Sequence, residues 1–432
     1  MHIYFSGIGG AGISSLALLA KQAGFDVSGS DKQDNHNLHY LKEKGITDIT
    51  VGQSREQIAA VHQARPIDWF VYTSALPMEQ PDAPELRFCE EQGIKTSKRD
   101  EFLNYLLEKQ QLKLIAIAGT HGKTTTTAMT IWLIKQLDMP VSYSVAGSIG
   151  FGEAAQLAPG SEYFVYEADE FDRNFLAFHP AFSIITGVDW DHPDIYPTRE
   201  DYYQAFRDFI GQSKQTLIWD GDAERLAVEP SEAVLVLDDE DMDIEERLRL
   251  SGRVNRLDAW LVAHAVQKLT GRPLDELLGH LNAFPGVGRR FEEIVPRLVS
   301  DYAHTAPKIR GALATAHEIA GDDVVVVYEG LHNTRQHFMK DELKHLFDSV
   351  KKLYVVPTYL AREDPSLPLL EPRDIIHLLD PTVQSRAVPA VLDDHLRNTI
   401  RQHLAAGDLV LCITAGGGNS LDEWLRREFR SS

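Results

Sequence analysis

Short apolar runs that break at glycine and continue into helical periodicity recur along this chain. Residues 114–118 (LIAIA) form a continuous apolar run, the pattern of a strand buried on both faces. The run breaks at Gly119, and Gly122-Lys123-Thr124 opens a helix with Met129, Leu133 and Leu137 on one face. Near the N-terminus, residues 3–5 predict a strand, 13–23 a helix with apolar Leu16, Leu19 and Ala20, and 25–28 a second strand. Further strands are expected at 69–73, near Lys95, and at 163–166, 182–188, 298–300, 324–328, 354–357 and 409–414, with helices at 83–92 and 253–269. Strand and helix alternate throughout, so the expected fold class is α/β with parallel sheets.

Polar residues 108–113 (EKQQLK) and the Pro285, Gly286, Gly288 cluster interrupt this alternation. They divide the chain into three expected domains, 1–108, 109–285 and 286–432, which suits a chain of 432 residues, too long for one core. The first and third read as Rossmann-like, and the second as a P-loop ATPase-like parallel sheet.

Composition narrows the chemistry. Lys plus Arg is 43 against 64 Asp plus Glu, a net charge of −21 with no basic cluster, which argues against a nucleic-acid partner. The two cysteines, Cys89 and Cys412, are far apart and form no C-x-x-C pair, so no disulfide framework or zinc site is indicated. Neither a signal-peptide pattern nor an apolar run of about twenty residues is present. The expected location is the cytoplasm, without membrane insertion.

Three motifs carry candidate chemistry. Gly119-Thr120-His121-Gly122-Lys123-Thr124-Thr125 lies between strand and helix, where backbone N–H groups and the helix dipole favour phosphate. Lys123 reaches outer phosphates as a point charge, and the Thr124 hydroxyl suits Mg²⁺. Ile117 occupies the first glycine of the G-x-x-x-x-G-K-[ST] pattern, so the loop is a shortened form. The strand at 163–166 ends in EADEFD, and Glu167 at its tip is the natural second Mg²⁺ ligand. Asp169, Glu170 and Asp172 read individually as solvated. His192 follows a third strand, beside Asp189 and Asp191, as a candidate ligand for a second divalent ion. The acidic run 238–246 reads as a solvated loop.

At the N-terminus, Gly7, Gly9 and Gly12 make G-x-G-x-x-G after a strand, with Gly10 within the turn and Asp31 after the next strand. This pattern serves either a dinucleotide such as NAD or the pyrophosphate of a nucleotide sugar. Ser74 stands at a strand end, where ligands of open α/β sheets bind.

Together, GIGGAGIS, VSGSD, GTHGKTTTT, EADEFD, WDHPDIY and GVGRRF resemble the Mur ligases, the ATP-dependent amide-forming enzymes of peptidoglycan precursor synthesis. The resemblance spans nearly the whole chain and points to the branch that adds L-alanine to UDP-N-acetylmuramate. It implies that Gly7, Gly9, Gly10, Gly12, Asp31 and Ser74 hold a UDP-sugar rather than NAD. It implies ATP at residues 119–125, with Asn255 at the adenine and Arg290 and Asp301 brought in from the third domain. Thr124, Glu167 and His192 would hold Mg²⁺, and Tyr302, His304 and Arg335 would line the amino-acid pocket. Lys123, Glu167, His192 and His304 are the implied catalytic set, and the implied assembly is a monomer or homodimer. Cell-wall biogenesis, and with it cell shape and division, is the implied process.

The chain departs from the family pattern at several places. Val254 replaces a histidine and Asp258 an asparagine around Asn255; Thr305 replaces a second histidine after His304; His332 replaces an arginine upstream of Arg335. Arg207 stands where sister ligases carry a modified lysine, as in the alanine-adding branch. A tripeptide-recycling ligase, a catalytically weak nucleotide and UDP-sugar binding protein, and an NAD oxidoreductase are the competing readings.

Overall fold

The computed structural model describes residues 1–73, 76–77, 80–192, 195–360, 363–414 and 418–430. It divides into two compact units, Met1–Met242 with Asp258–Phe284, and Asp243–Leu257 with Pro285–Ser432. Among the described residues three predominantly parallel sheets organise the α/β fold, two of them in the first unit.

The first sheet runs Ile49–Val51, Asp26–Asp31, His2–Ser6, Trp69–Tyr72, Lys95–Lys98 in space, all parallel. The chain starts in the middle, winds to one side and then crosses to the other. That reversal opens a crevice at the end of His2–Ser6, where the glycine turn and helix Ala11–Gln22 follow.

The second sheet runs Val234–Leu237, Thr216–Trp219, Phe182–Ile185, Lys113–Ala118, Tyr163–Glu167, Ser142–Ser144, Ala155–Gln156, and only its last pair is antiparallel among the described strands. Lys113–Ala118 lies between Tyr163–Glu167 and Phe182–Ile185, so the ends of three strands converge on the turn after Ala118. The third of these strands is shorter than expected. After Ile185 the backbone turns to serve the loop: Thr186 N donates to Ala118 O and Thr120 N to Gly187 O, each at 2.9 Å.

Helix Lys123–Gln136 shows no single apolar face. It is buried on nearly all sides, Thr126, Thr127 and Thr130 included, because helix Leu274–Leu281 covers it, with Trp132 Nε1 donating to His280 O at 3.0 Å. Ile3, Phe5, Leu16 and Phe102 of the first sheet's layer share one core with Phe164, Phe175 and Phe178 of the second's. The two layers are also tied by Lys98 to Asp172 and by Lys44 to Glu153, both at 2.7 Å.

The second unit contains the sheet Glu292–Val295, Leu298–Asp301, Leu409–Ile413, Val324–Leu331, Lys352–Tyr359, Ala387–Pro389, parallel except for its first pair. Val324–Leu331 is buried at every position. Its residues alternate between two cores, Val324, Val326 and Tyr328 toward one and Val325 and Val327 toward the other, as strand geometry requires. The expected solvated loop at 238–246 is corrected in its second half: Met242–Arg247 is a short helix because Ile244 is buried. Among the described residues no helix is long and apolar enough to cross a membrane.

Candidate active site

Gly122 makes the N-terminus of helix Lys123–Gln136 possible. It adopts φ +74°, and a Cβ there would lie 2.7 Å from Asp258 Oδ1, so both conformation and space call for glycine. The loop ahead of it is pinned from below: the Thr120 hydroxyl contacts the Tyr202 hydroxyl at 2.8 Å and donates to Asp189 O at 2.7 Å, and Thr186 Oγ1 donates to His121 O. His121 Nε2 faces the Asp189 carboxylate at 3.4 Å, which holds that carboxyl below its ordinary range.

Lys123 bends back over this turn. Its ammonium donates to Gly119 O and to Glu170 Oε2, each at 2.6 Å. Burial works against its charge, but Glu170, Asp169 and Glu167 together outweigh burial and raise its pKa. Thr124 Oγ1 lies 3.2 Å from Glu167 Oε1, so the expected metal pair is adjacent. His192, with φ +56°, points Nε2 toward Glu170 Oε1 at 3.7 Å, and its ring meets Phe171 edge-on at 5.2 Å. Lys123, Thr124, Glu167 and His192 are therefore assembled at one place, together with Gly119 to Gly122; Thr125 follows in the first helical turn.

Glu170 corrects the sequence reading. It is 1% exposed, binds Lys123 and faces His192, and its backbone carbonyl accepts the Tyr196 hydroxyl at 2.6 Å. Asp169 and Asp172 are not simply solvated either: they face Arg99 at 3.8 Å and Lys98 at 2.7 Å. Asp172 and Arg173 adopt positive φ, and this kink turns Glu170 inward and Asp172 outward. Beyond Glu167 at the strand tip, the other three carboxylates of EADEFD gave no local signal to distinguish them.

At the first sheet, Gly7 turns with φ +73° and Gly9 N donates to Asp31 Oδ2 at 2.8 Å. Asp31 thus shapes the glycine turn, and Gly10 and Gly12 continue it into the helix. Asn37 Nδ2 donates to Gly9 O at 2.7 Å, a contact the motif does not announce. Behind the turn, the buried Glu85 carboxylate accepts the hydroxyls of Tyr4, Ser6 and Ser30 at 2.8, 2.6 and 2.9 Å. Ser74 lies outside the described residues.

The second unit gathers its own candidates. Asp301 accepts the Phe291 N–H at 2.7 Å, and burial pushes its carboxyl up to about 6 although Arg290 opposes this. The Arg290 guanidinium lies 5.4 Å from the Tyr302 ring centre. His304 Nδ1 donates to Tyr302 O at 3.0 Å, which leaves Nε2 as the basic nitrogen. Burial, then Lys308, Arg335 and Arg290, holds the His304 pKa well below its usual value. His332 Nδ1 faces Glu363 Oε1 at 3.7 Å, and Glu363 Oε2 accepts the Thr334 N–H at 2.9 Å. Asn255 also belongs to this unit, its amide donating to Ser251 O at 2.7 Å.

A lysine and two helix-end hydroxyls beside clustered carboxylates can hold an Mg-nucleotide. A neutral, half-buried histidine among cations can receive a proton once an anionic substrate offsets those cations. The description "Mur ligase family, catalytic domain" matches residues 2–111, and "Mur ligase middle domain" matches 117–247. A UDP-N-acetylmuramate–L-alanine ligase of Gloeobacter violaceus is 30% identical over 452 aligned residues, covering 97% of this chain and 94% of that protein. One from Roseiflexus sp. is 30% identical, covering 98% of each. Among solved structures, a UDP-N-acetylmuramate–alanine ligase of Thermotoga maritima is similar with TM-score 0.76 at 24% identity, over 100% of this chain and 98% of that one. A murein peptide ligase of Psychrobacter arcticus is similar with TM-score 0.65 at 21% identity, over 100% and 98%.

Proposed function

The chain belongs to the Mur ligase family, and we propose that it joins L-alanine to UDP-N-acetylmuramate in peptidoglycan precursor synthesis, at the expense of ATP. The observation that carries this reading is the assembled loop, Lys123 with Glu170 and Thr124 with Glu167, in a chain related along its length to L-alanine-adding ligases.

Residues 1–108 hold the UDP-sugar at the Gly7–Gly12 turn, 109–285 hold ATP, and 286–432 contribute the amino-acid side with Arg290, Asp301, Tyr302, His304 and Arg335. The oxygens of Thr124 and Glu167 suit a hard cation such as Mg²⁺, and His192 completes the set. When bound, Mg²⁺ would offset charge between two approaching anions. Lys123 does the same from the protein side, releasing Glu170 as it turns to the outer phosphates.

The reaction has two stages. The lactyl carboxylate of the sugar attacks the γ-phosphate and becomes an acyl phosphate, and ADP leaves. The amine of L-alanine then attacks that carbonyl and expels phosphate. The amine must first lose a proton; His304 Nε2 is the candidate acceptor, and the burial and neighbouring cations that keep it neutral also make it a weak base until an anionic substrate offsets them. Such chemistry takes place in the cytoplasm, with small molecules as the partners.

The test is direct. Purified protein is incubated with ATP, Mg²⁺, UDP-N-acetylmuramate and either L-alanine, glycine, L-serine or the tripeptide, and phosphate and product mass are measured. Release that requires both the UDP-sugar and L-alanine is the expected result; release only with the tripeptide overturns it.

A further inference from the structure

Arg99 opens helix Arg99–Lys109, directly after the last strand of the first sheet. Its guanidinium lies between two parts of the site. On one side it fills the space beside Gly12, where a Cβ would collide with Arg99 Nη1. On the other it faces Asp169, one residue before Glu170, with Nη2 3.8 Å from Oδ2. Its stem packs beside Leu16, Leu103 and Tyr166.

An arginine so enclosed is expected to form close, often bidentate, pairs. This one does not. Its ion pairs are long, 3.4 Å to Asp100 and 3.8 Å to Asp169, and among the described residues the buried Nε has no hydrogen-bond partner. The cation therefore has donors to spare beside the third glycine of a turn whose helix N-terminus already favours phosphate.

We propose that Arg99 binds the diphosphate of the UDP-sugar, adding a side-chain cation to the glycine turn. Asp169 holds the guanidinium in place from the second sheet's side. This rests on the reading of the first sheet as the UDP-sugar site.

The test measures binding of uridine, UDP, UDP-N-acetylglucosamine and UDP-N-acetylmuramate to the intact chain and to Arg99→Met and Arg99→Lys, with thermal unfolding of each. Arg99→Met keeps most of the packing stem and loses the charge. Expected is a loss of UDP affinity on the order of tenfold to a hundredfold, equal for both UDP-sugars, with uridine unchanged and partial recovery in Arg99→Lys. Unchanged UDP affinity in Arg99→Met overturns the proposal, as does an equal loss for uridine, which marks a structural role. Loss confined to UDP-N-acetylmuramate also overturns it, because the sugar's carboxylate is then the partner. If the unaltered chain binds neither UDP nor UDP-sugar, the assignment of the first sheet falls instead.

Discussion

Lys123 and Glu170 form a buried ion pair at 2.6 Å, the carboxylate 1% exposed and the lysine side chain 13% exposed. A cation at this position is needed by phosphate, yet here a carboxylate holds it. The pair keeps Lys123 charged and placed over the turn until a nucleotide competes for it. Removing one partner of such a pair leaves the other charge uncompensated.

Lys123→Ala is therefore expected to reduce turnover by at least about a hundredfold while UDP-sugar affinity stays within about twofold. Glu170→Gln is expected to lower kcat by roughly tenfold or more, because both Lys123 and His192 lose their anchor. Phosphate release and UDP-sugar titration measure the two effects separately. Loss of UDP-sugar binding in Lys123→Ala contradicts the division of labour between the two sheets.

The pH profile is set by the second unit. Burial raises Asp301 to about 6, so it becomes protonated as pH falls through that value and accepts the Phe291 N–H less strongly. His304 stays neutral there, since its pKa is held well below the usual one. The value of kcat/KM for the amino acid should thus fall below about pH 6, and Asp301→Asn should flatten this limb. His304→Gln should lower the plateau instead. An acid limb that is unchanged in Asp301→Asn is incompatible with this assignment.

Asp258 is buried against Gly122, and burial raises its carboxyl far above the ordinary value, the Thr126 hydroxyl opposing. With the folded-state pKa above the unfolded one, its contribution is most favourable at low pH and is lost as pH rises toward the folded value. Asp258→Asn is expected to stabilise the protein by about 1–3 kcal/mol at neutral pH, with the gain vanishing near pH 4. Thermal unfolding across pH measures this; equal stability at neutral pH argues against the raised carboxyl.

His332 stands where an arginine is expected, with Glu363 beside it. A histidine cannot grip a carboxylate bidentately. His332→Arg is expected to lower KM for the amino acid by roughly tenfold with kcat little changed. Steady-state kinetics with varied L-alanine decides; an unchanged KM places His332 away from the substrate carboxylate.

Strands such as Lys113–Ala118 and Val324–Leu331 were legible because a contiguous apolar run already encodes burial on both faces, whereas short or polar ones such as Ile49–Val51, Ser142–Ser144 and Ala387–Pro389 were not. The two glycine turns were legible because backbone conformation limits which residue fits, as at Gly122. Helix Lys123–Gln136 was legible as a helix but not in its all-round burial, since Leu274–Leu281 covers it from far along the chain.

Glu170 and Arg99 mark where local reading ends. Past Glu167 at the strand end, EADEFD offers three more carboxylates, and no spacing rule picks the one that meets Lys123. Positive φ at Asp172 and Arg173, and the Tyr196 hydroxyl on the Glu170 carbonyl, make that choice. Arg99 is an ordinary helix-opening residue until the two sheets close around it, with Gly12 on one side and Asp169 on the other. The sequence by itself determined the alternating α/β class, the strongly apolar strands, the phosphate-binding turns and the family, because those follow from local periodicity and short motifs. The tertiary structure alone decided which charges are buried together, because desolvation and pairing arise only where segments distant in sequence pack against one another.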